Sequence, residues 1–140
     1  MFSQRIRSVM ERKKMLTAPP ETTVSEAAKL MADKNVGAVL IVERKNLVGI
    51  FTERDALFGV IARGRDPKTT RLADVMTTAP QTADPDKTFG YALLVMHENG
   101  FRHVPVIENG KPVGIVSARY TLDPEMEEFV SEAQRREHIR

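Results

Sequence analysis

The chain of 140 residues contains no cysteine and no tryptophan. The missing thiol excludes a disulfide scaffold, a thiol nucleophile and a thiolate zinc site. Only three histidines occur, His97, His103 and His138, too scattered to suggest a metal cage. No apolar run approaches the roughly 20 residues needed to span a bilayer. The opening Met1-Phe2-Ser3-Gln4-Arg5 lacks the apolar stretch of a signal peptide, so a cytoplasmic protein without a membrane role is expected. Charge of one sign is scarce too. Lys plus Arg number 21 against 19 for Asp plus Glu, a net +2, and the signs interleave. That balance gives solubility and argues against a nucleic-acid footprint. What remains is 41% apolar and 29% charged, ordinary globular usage at about the length of one domain or of two small units sharing a core.

An internal repeat organises the chain. Leu47-Val-Gly-Ile-Phe-Thr-Glu-Arg-Asp55 lies over Pro112-Val-Gly-Ile-Val-Ser-Ala-Arg-Tyr120, with Gly49 over Gly114 at an offset of 65 residues. The register holds without a gap back to Pro20 over Pro85, pairing Thr23 with Thr88, Ala27 with Ala92, Met31 with Met96 and Val39 with Val104. Each copy carries the same signals. Thr22-Thr-Val-Ser-Glu26 reads as a helix cap, followed by Ala27, Ala28, Leu30 and Met31 at helical spacing. Asn35 and Gly37 stop that helix, Val39 to Val42 and Leu47 to Phe51 read as strands, and Arg44-Lys-Asn46 as the turn between them. Thr52-Glu-Arg-Asp55 opens a second helix carrying Ala56, Leu57, Val60 and Ile61. The second copy repeats this with a helix from about Thr88 to Glu98 and strands Val104–Ile107 and Pro112–Ser117, turned by Glu108-Asn-Gly110.

One such unit buries too little apolar surface to stand alone. The expected fold is therefore α+β, with two βαββα repeats packed sheet to sheet about a pseudo-twofold axis and flanked by terminal helices. The expected boundaries are an N-terminal helix over 1–15, repeat one over 16–65, a connector over 66–75, repeat two over 76–122 and a C-terminal helix over 123–140. The first helix is read from Ile6, Val9 and Met10 on one face. The last is read from the Asp123-Pro124 start. Met31, Met76 and Met96 read as core or interface residues.

The paired units, each ending in Gly-apolar-apolar-Thr/Ser-x-Arg followed by Asp or Tyr, resemble the CBS-domain pair, also called a Bateman module. Asp74-Val-Met-Thr77 and Gly100-Phe-Arg-His-Val-Pro-Val106 match it as well, and the resemblance spans Met15 to Leu122. It implies a flat, stand-alone, bacterial-type regulatory module, often a homodimer, that binds an adenosine-containing ligand between its repeats. AMP, ADP, ATP, NAD and S-adenosylmethionine are the ligands implied, with no covalent cofactor, no metal and an unidentified regulated protein as partner.

The candidate site begins at Gly49, which lets backbone approach closely, and at Thr52, whose hydroxyl joins the free amides of a helix start that favour phosphate. Asp55, one turn in, can accept both hydroxyls of a ribose. The same Thr-x-x-Asp spacing is a near capping box in which the two side chains satisfy amides, and both readings stand. Ser117 keeps the hydroxyl in the second copy, but Tyr120 replaces the acid and cannot accept as a carboxylate does. The resemblance implies that Arg102 and His103 reach phosphate from the opposite copy; a surface ion pair and a spacer are the alternatives. Arg119 is a further candidate, and Arg54 is read as alternating away from the Thr52 side. Lys68, Thr69, Thr70 and Arg71 are candidates for a phosphate groove, and Thr23 and Val24 for holding adenine, against simple helix capping. His97 is read as solvent-facing. Three function classes follow: a nucleotide sensor, which is the favoured reading, a ligand-free adaptor mediating assembly, and a nucleotide hydrolase. The hydrolase is disfavoured because Asp55 is the only acid placed beside the phosphate, so no enzyme is expected.

Overall fold

Thr23 and Thr88 begin the same local event. Each hydroxyl accepts the amide three residues on, from Glu26 and Tyr91 at 3.2 Å, and starts an eleven-residue helix. The computed structural model describes residues 2–118. In chain order its elements are α1 (Ile6–Val9), β1 (Thr17–Ala18), α2 (Val24–Lys34), β2 (Ala38–Glu43), β3 (Asn46–Thr52), α3 (Glu53–Asp55, running on as a π-helical stretch Ala56–Ile61), α4 (Leu72–Val75), β4 (Thr77–Thr78), α5 (Phe89–Asn99), β5 (His103–Glu108) and β6 (Lys111–Ser117). The two long helices end alike, α2 on left-handed Asn35 and α5 on left-handed Gly100. The hairpins close alike too. Arg44 and Lys45 in the first, and Asn109 and Gly110 in the second, take positive φ, the turn geometry that matches strand twist.

The first sheet has the order β1-β2-β3-β4, with β1 parallel to β2 and β4 antiparallel to β3. The second is β5-β6, flanked by single bridges from Ala83, parallel to Val106, and from Glu11, antiparallel to Ile115. These bridges stand where β1 and β4 stand in the first sheet. Each unit has its own core, around Val39, Ile41 and Phe51 in one and Val104, Val106 and Val116 in the other. Between them Ala38, Leu40 and Ile50 of the first sheet meet Ile115 of the second, with Met15 and Leu47 packed alongside. This is the expected sheet-to-sheet pairing.

The outer boundaries differ from the expected ones. Of the expected helix over 1–15, the described residues 2–15 form only one short piece: Ile6–Val9 is helical, and Met10 already returns to extended backbone. The face read from Ile6, Val9 and Met10 is real, but its backbone groups are taken elsewhere. The amides of Ile6 and Arg7 donate to Lys87 and Pro85, those of Phe89 and Gly90 donate to Gln4 and Phe2, and Glu11 exchanges both backbone bonds with Ile115. Ile6 is fully buried in the core of the second unit. Residues 66–75 are likewise no mere connector. The amides of Leu72 and Ala73 donate to Thr22 and Pro20, Leu72 is fully buried in the first core, and Thr77–Thr78 pairs with Gly49–Ile50. Arg5-Ile6-x-x-Val9-Met10 and Arg71-Leu72-x-x-Val75-Met76 are thus one motif used twice, each arm completing a unit. The expected C-terminal helix over 123–140 lies outside the described residues.

Candidate functional site

Between the units lies a cleft of about 860 Å³, within the size range of small-molecule sites. The first unit supplies Ile50 and Thr52 from the end of β3 and Glu53, Arg54, Asp55, Leu57 and Phe58 from α3 and its π-helical continuation. The other side is formed by Thr77, Pro80 and Gln81 and by Asn99–His103, the turn from α5 into β5. Thr52, Asp55, Arg102 and His103 are therefore brought together as expected from the sequence.

Thr52 ends an extended strand and caps the helix that follows. Its hydroxyl accepts the Asp55 amide at 3.3 Å, while Asp55 Oδ2 accepts the Thr52 amide at 2.9 Å and the Thr52 hydroxyl at 3.2 Å. The capping box is thus formed, and the same carboxylate lines the cleft. Oδ1 receives only a long bond from the Thr77 hydroxyl, at 3.4 Å. A carboxylate offers about four lone-pair sites, so Oδ1 retains capacity for a ligand hydroxyl.

Two guanidinium groups border the cleft. Arg54 lies with its Cζ 5.1 Å from the centroid of the Phe58 ring, a cation–π arrangement that leaves its donors available. The expectation that Arg54 alternates away is corrected. Strand alternation ends at Thr52, and helical backbone from Glu53 onward resets the side-chain directions. Arg102 is exposed at the opposite rim. Beside it the His103 side chain is only 11% exposed, and its Nε2 lies 3.5 Å from Glu53 Oε1. Burial holds the imidazole below its ordinary pKa of 6.5. The Glu53 carboxylate opposes that shift and Arg102 adds to it.

Several expected site residues lie elsewhere. Gly49 is buried on the far side of β3, where an added Cβ would meet Met76 Sδ at 2.5 Å and the Thr77 carbonyl oxygen at 3.0 Å. Its smallness serves strand packing against the arm, as Gly114 does against Met10. Thr23 caps α2 and bridges Arg71, and Val24 is buried in the first core, so the capping reading holds there and neither borders the cleft. Lys68 to Arg71 are also away from it. The Thr70 hydroxyl donates to the Asp66 carbonyl at 2.7 Å, and Arg71 pairs with Asp74 at 3.4 Å. Ser117 is buried at the end of β6, while Arg119 and Tyr120 lie outside the described residues. His97 is exposed and Met31 and Met96 are core, as expected. Sequence reasoning missed Glu53, Phe58 and Phe101 as cleft residues. The available signal was their place in the two segments already singled out, Thr52–Asp55 and Gly100–His103.

The sequence model of the CBS domain matches residues 6–61 and 72–122, most of the chain. The chain is 37% identical over 120 residues to the mitochondrial CBS domain-containing protein CBSX3 of Arabidopsis thaliana, covering 82% of its own length and 58% of that relative's. An uncharacterised conserved protein of Pyrococcus horikoshii superposes with a TM-score of 0.82 at 30% identity, over 89% of this chain and 94% of that one. A CBS domain pair solved in complex with 5-methylthioadenosine and S-adenosyl-L-methionine superposes with a TM-score of 0.79, over 89% of this chain and 98% of that one. At 23% identity this last is a likeness of fold.

Proposed function

Since the chain belongs to the CBS-domain family and carries a tandem pair of those domains, we propose that it senses an adenosine-containing nucleotide in the cleft between its two units and transmits binding by a change of shape or assembly. One observation carries this reading: a single cleft joins Thr52 and Asp55 of the first unit to Arg102 and His103 of the second. The chemistry suits a nucleotide. Asp55 Oδ1 accepts sugar hydroxyls, Arg54 and Arg102 neutralise phosphate, and Phe58, Phe101 and Leu57 offer apolar surface to a base. A ligand gripped by both units fixes their relative position, which is how occupancy becomes visible to a partner. The working place proposed for this chain is the cytoplasm, and AMP, ADP, ATP, NAD and S-adenosylmethionine are its candidate ligands.

Thermal unfolding with each of these nucleotides tests the reading. A ligand at 100 times its Kd adds about 2.7 kcal/mol to stability, a rise of several degrees in Tm. No shift with any of them, in a folded protein, ends the proposal. The reading is of a binding module and not an enzyme; phosphate release from a nucleotide with magnesium, abolished by Asp55→Ala, would reverse it.

A second reading is favoured by one feature. Leu57, Phe58 and Ile61 are 51%, 52% and 68% exposed on the π-helical stretch, an apolar face suited to self-association. As a ligand-free adaptor the module would form a homodimer indifferent to nucleotide. Light scattering separates the two: an Ile61→Glu variant that becomes monomeric while wild type keeps one mass with and without nucleotide supports the adaptor. Ile6 and Met10 offer no such face, because both side chains are buried in the second unit.

A further inference from the structure

The two units solve the junction from strand to helix with the same backbone bond and different side chains. The Glu53 amide donates to the Gly37 carbonyl at 3.1 Å, and the Ala118 amide donates to the Arg102 carbonyl at 2.9 Å. A methyl group serves this position in the second unit, so the fold does not require an acid there. Glu53 nevertheless lines the cleft. Its carboxylate leans over Gly37, into the volume that a Cβ on that residue would fill, and lies 3.5 Å from His103 Nε2. It therefore stands at the corner where Arg102 and His103 bring basic groups from the other unit.

The charges at that corner nearly cancel. Among the described residues lining the cleft, Arg54 and Arg102 are cations, Glu53 and Asp55 are anions, and burial disfavours a charge on His103. A ligand with one phosphate finds two guanidinium groups to meet it. Every further phosphate adds negative charge beside a carboxylate that nothing in the fold demands. We infer that Glu53 is a specificity-determining residue that sets how much phosphate the cleft accepts, favouring nucleosides with little negative charge over triphosphates. This rests on the proposed nucleotide reading of the cleft and adds the charge class of its ligand.

The test compares wild type with Glu53→Gln for adenosine, AMP, ADP and ATP by titration calorimetry, without magnesium and at one ionic strength. Gln keeps the size of the side chain and removes its charge. Wild type is expected to bind AMP at least as tightly as ATP. Glu53→Gln should leave adenosine within about twofold and tighten ATP on the order of fivefold, the scale of one exposed charge contact, with AMP and ADP in between. Glu53→Ala should show the same gradient and keep the wild-type circular dichroism, since Ala118 already occupies the equivalent junction. A change equal for all four ligands, or wild type preferring ATP with no gain in the variants, overturns the inference and leaves the nucleotide reading standing. If none of the four binds to either protein, the inference falls, and the nucleotide reading then stands or falls with NAD and S-adenosylmethionine in the thermal test.

Discussion

The Asp55 carboxylate forms a cap and also lines the cleft, and its two oxygens are engaged unequally. Oδ2 is engaged by the amide and hydroxyl of Thr52, while Oδ1 has only the long Thr77 bond. Loss of a cap costs about 1 kcal/mol, and a hydrogen bond to a charged group is worth about 1.5–3 kcal/mol. Asp55→Asn keeps an acceptor for the cap and gives up the charge and one of the two acceptors. It should lower Tm by little and weaken nucleotide affinity about tenfold or more, whereas Asp55→Ala loses both; Tm and Kd measured side by side separate the roles. His103 makes the pH dependence at this scale. Its folded pKa lies below the ordinary 6.5 because of burial, so over that window the unfolded chain takes up a proton that the folded one refuses. The stability contributed is present above about pH 6.5 and is lost as pH falls toward the lowered folded value. His103→Gln should flatten that slope in urea melts at pH 7.5 and 5.5. An unchanged slope would mean that other groups carry the dependence.

The elements show which parts of the sequence could be read locally. The caps at Thr23, Thr88 and Thr52, the stop at Asn35 and the Asn109-Gly110 turn each depend on residues within a few positions, and all of them form. What was not legible depends on partners far away in sequence. The motif of Arg5 to Met10 repeats at Arg71 to Met76 with an offset of 66, one residue out of step with the offset of 65 elsewhere. A gap-free comparison therefore loses the register before Thr17 and leaves two arms looking like a terminal helix and a linker. The apolar face of Ile6, Val9 and Met10 suggested a helix, but cross-chain pairing with Lys87, Pro85 and Ile115 overrides helix propensity after one turn. Gly49 reads in the sequence as a point of close ligand approach, yet the close approach there is that of Met76. Gly49→Ala accordingly should destabilise by about 1–3 kcal/mol through overpacking while leaving nucleotide affinity within about twofold. A selective loss of affinity at unchanged stability would restore the ligand reading of that glycine.

At the scale of the molecule the two arms make the repeats interdependent. The chain runs arm, unit, arm, unit, and the first arm completes the second unit while the second arm completes the first. Ile6 and Leu72 are equivalent anchors, each fully buried, and the Arg7 guanidinium adds ion pairs to Glu108 at 2.7 Å and Asp86 at 3.4 Å. Those pairs lie at the exposed surface, where solvent screens them, and contribute little. The anchors contribute more, since truncating a buried Ile or Leu to Ala costs about 2–5 kcal/mol. Ile6 lies in the sequence before the first unit and in space inside the second. Ile6→Ala and Leu72→Ala should therefore each lower stability by about that much, although their local damage falls in different units. Each unit alone buries too little surface to persist, so both variants should unfold in a single transition seen alike by far-ultraviolet circular dichroism and by hydrogen exchange of amides in β2 and β5. Under Ile6→Ala, loss of protection in β5 with full retention in β2 would show that the units fold independently and that the exchanged arms do not couple them. Equal loss in both would mean that a ligand bound in the cleft between the units stabilises the entire fold at once.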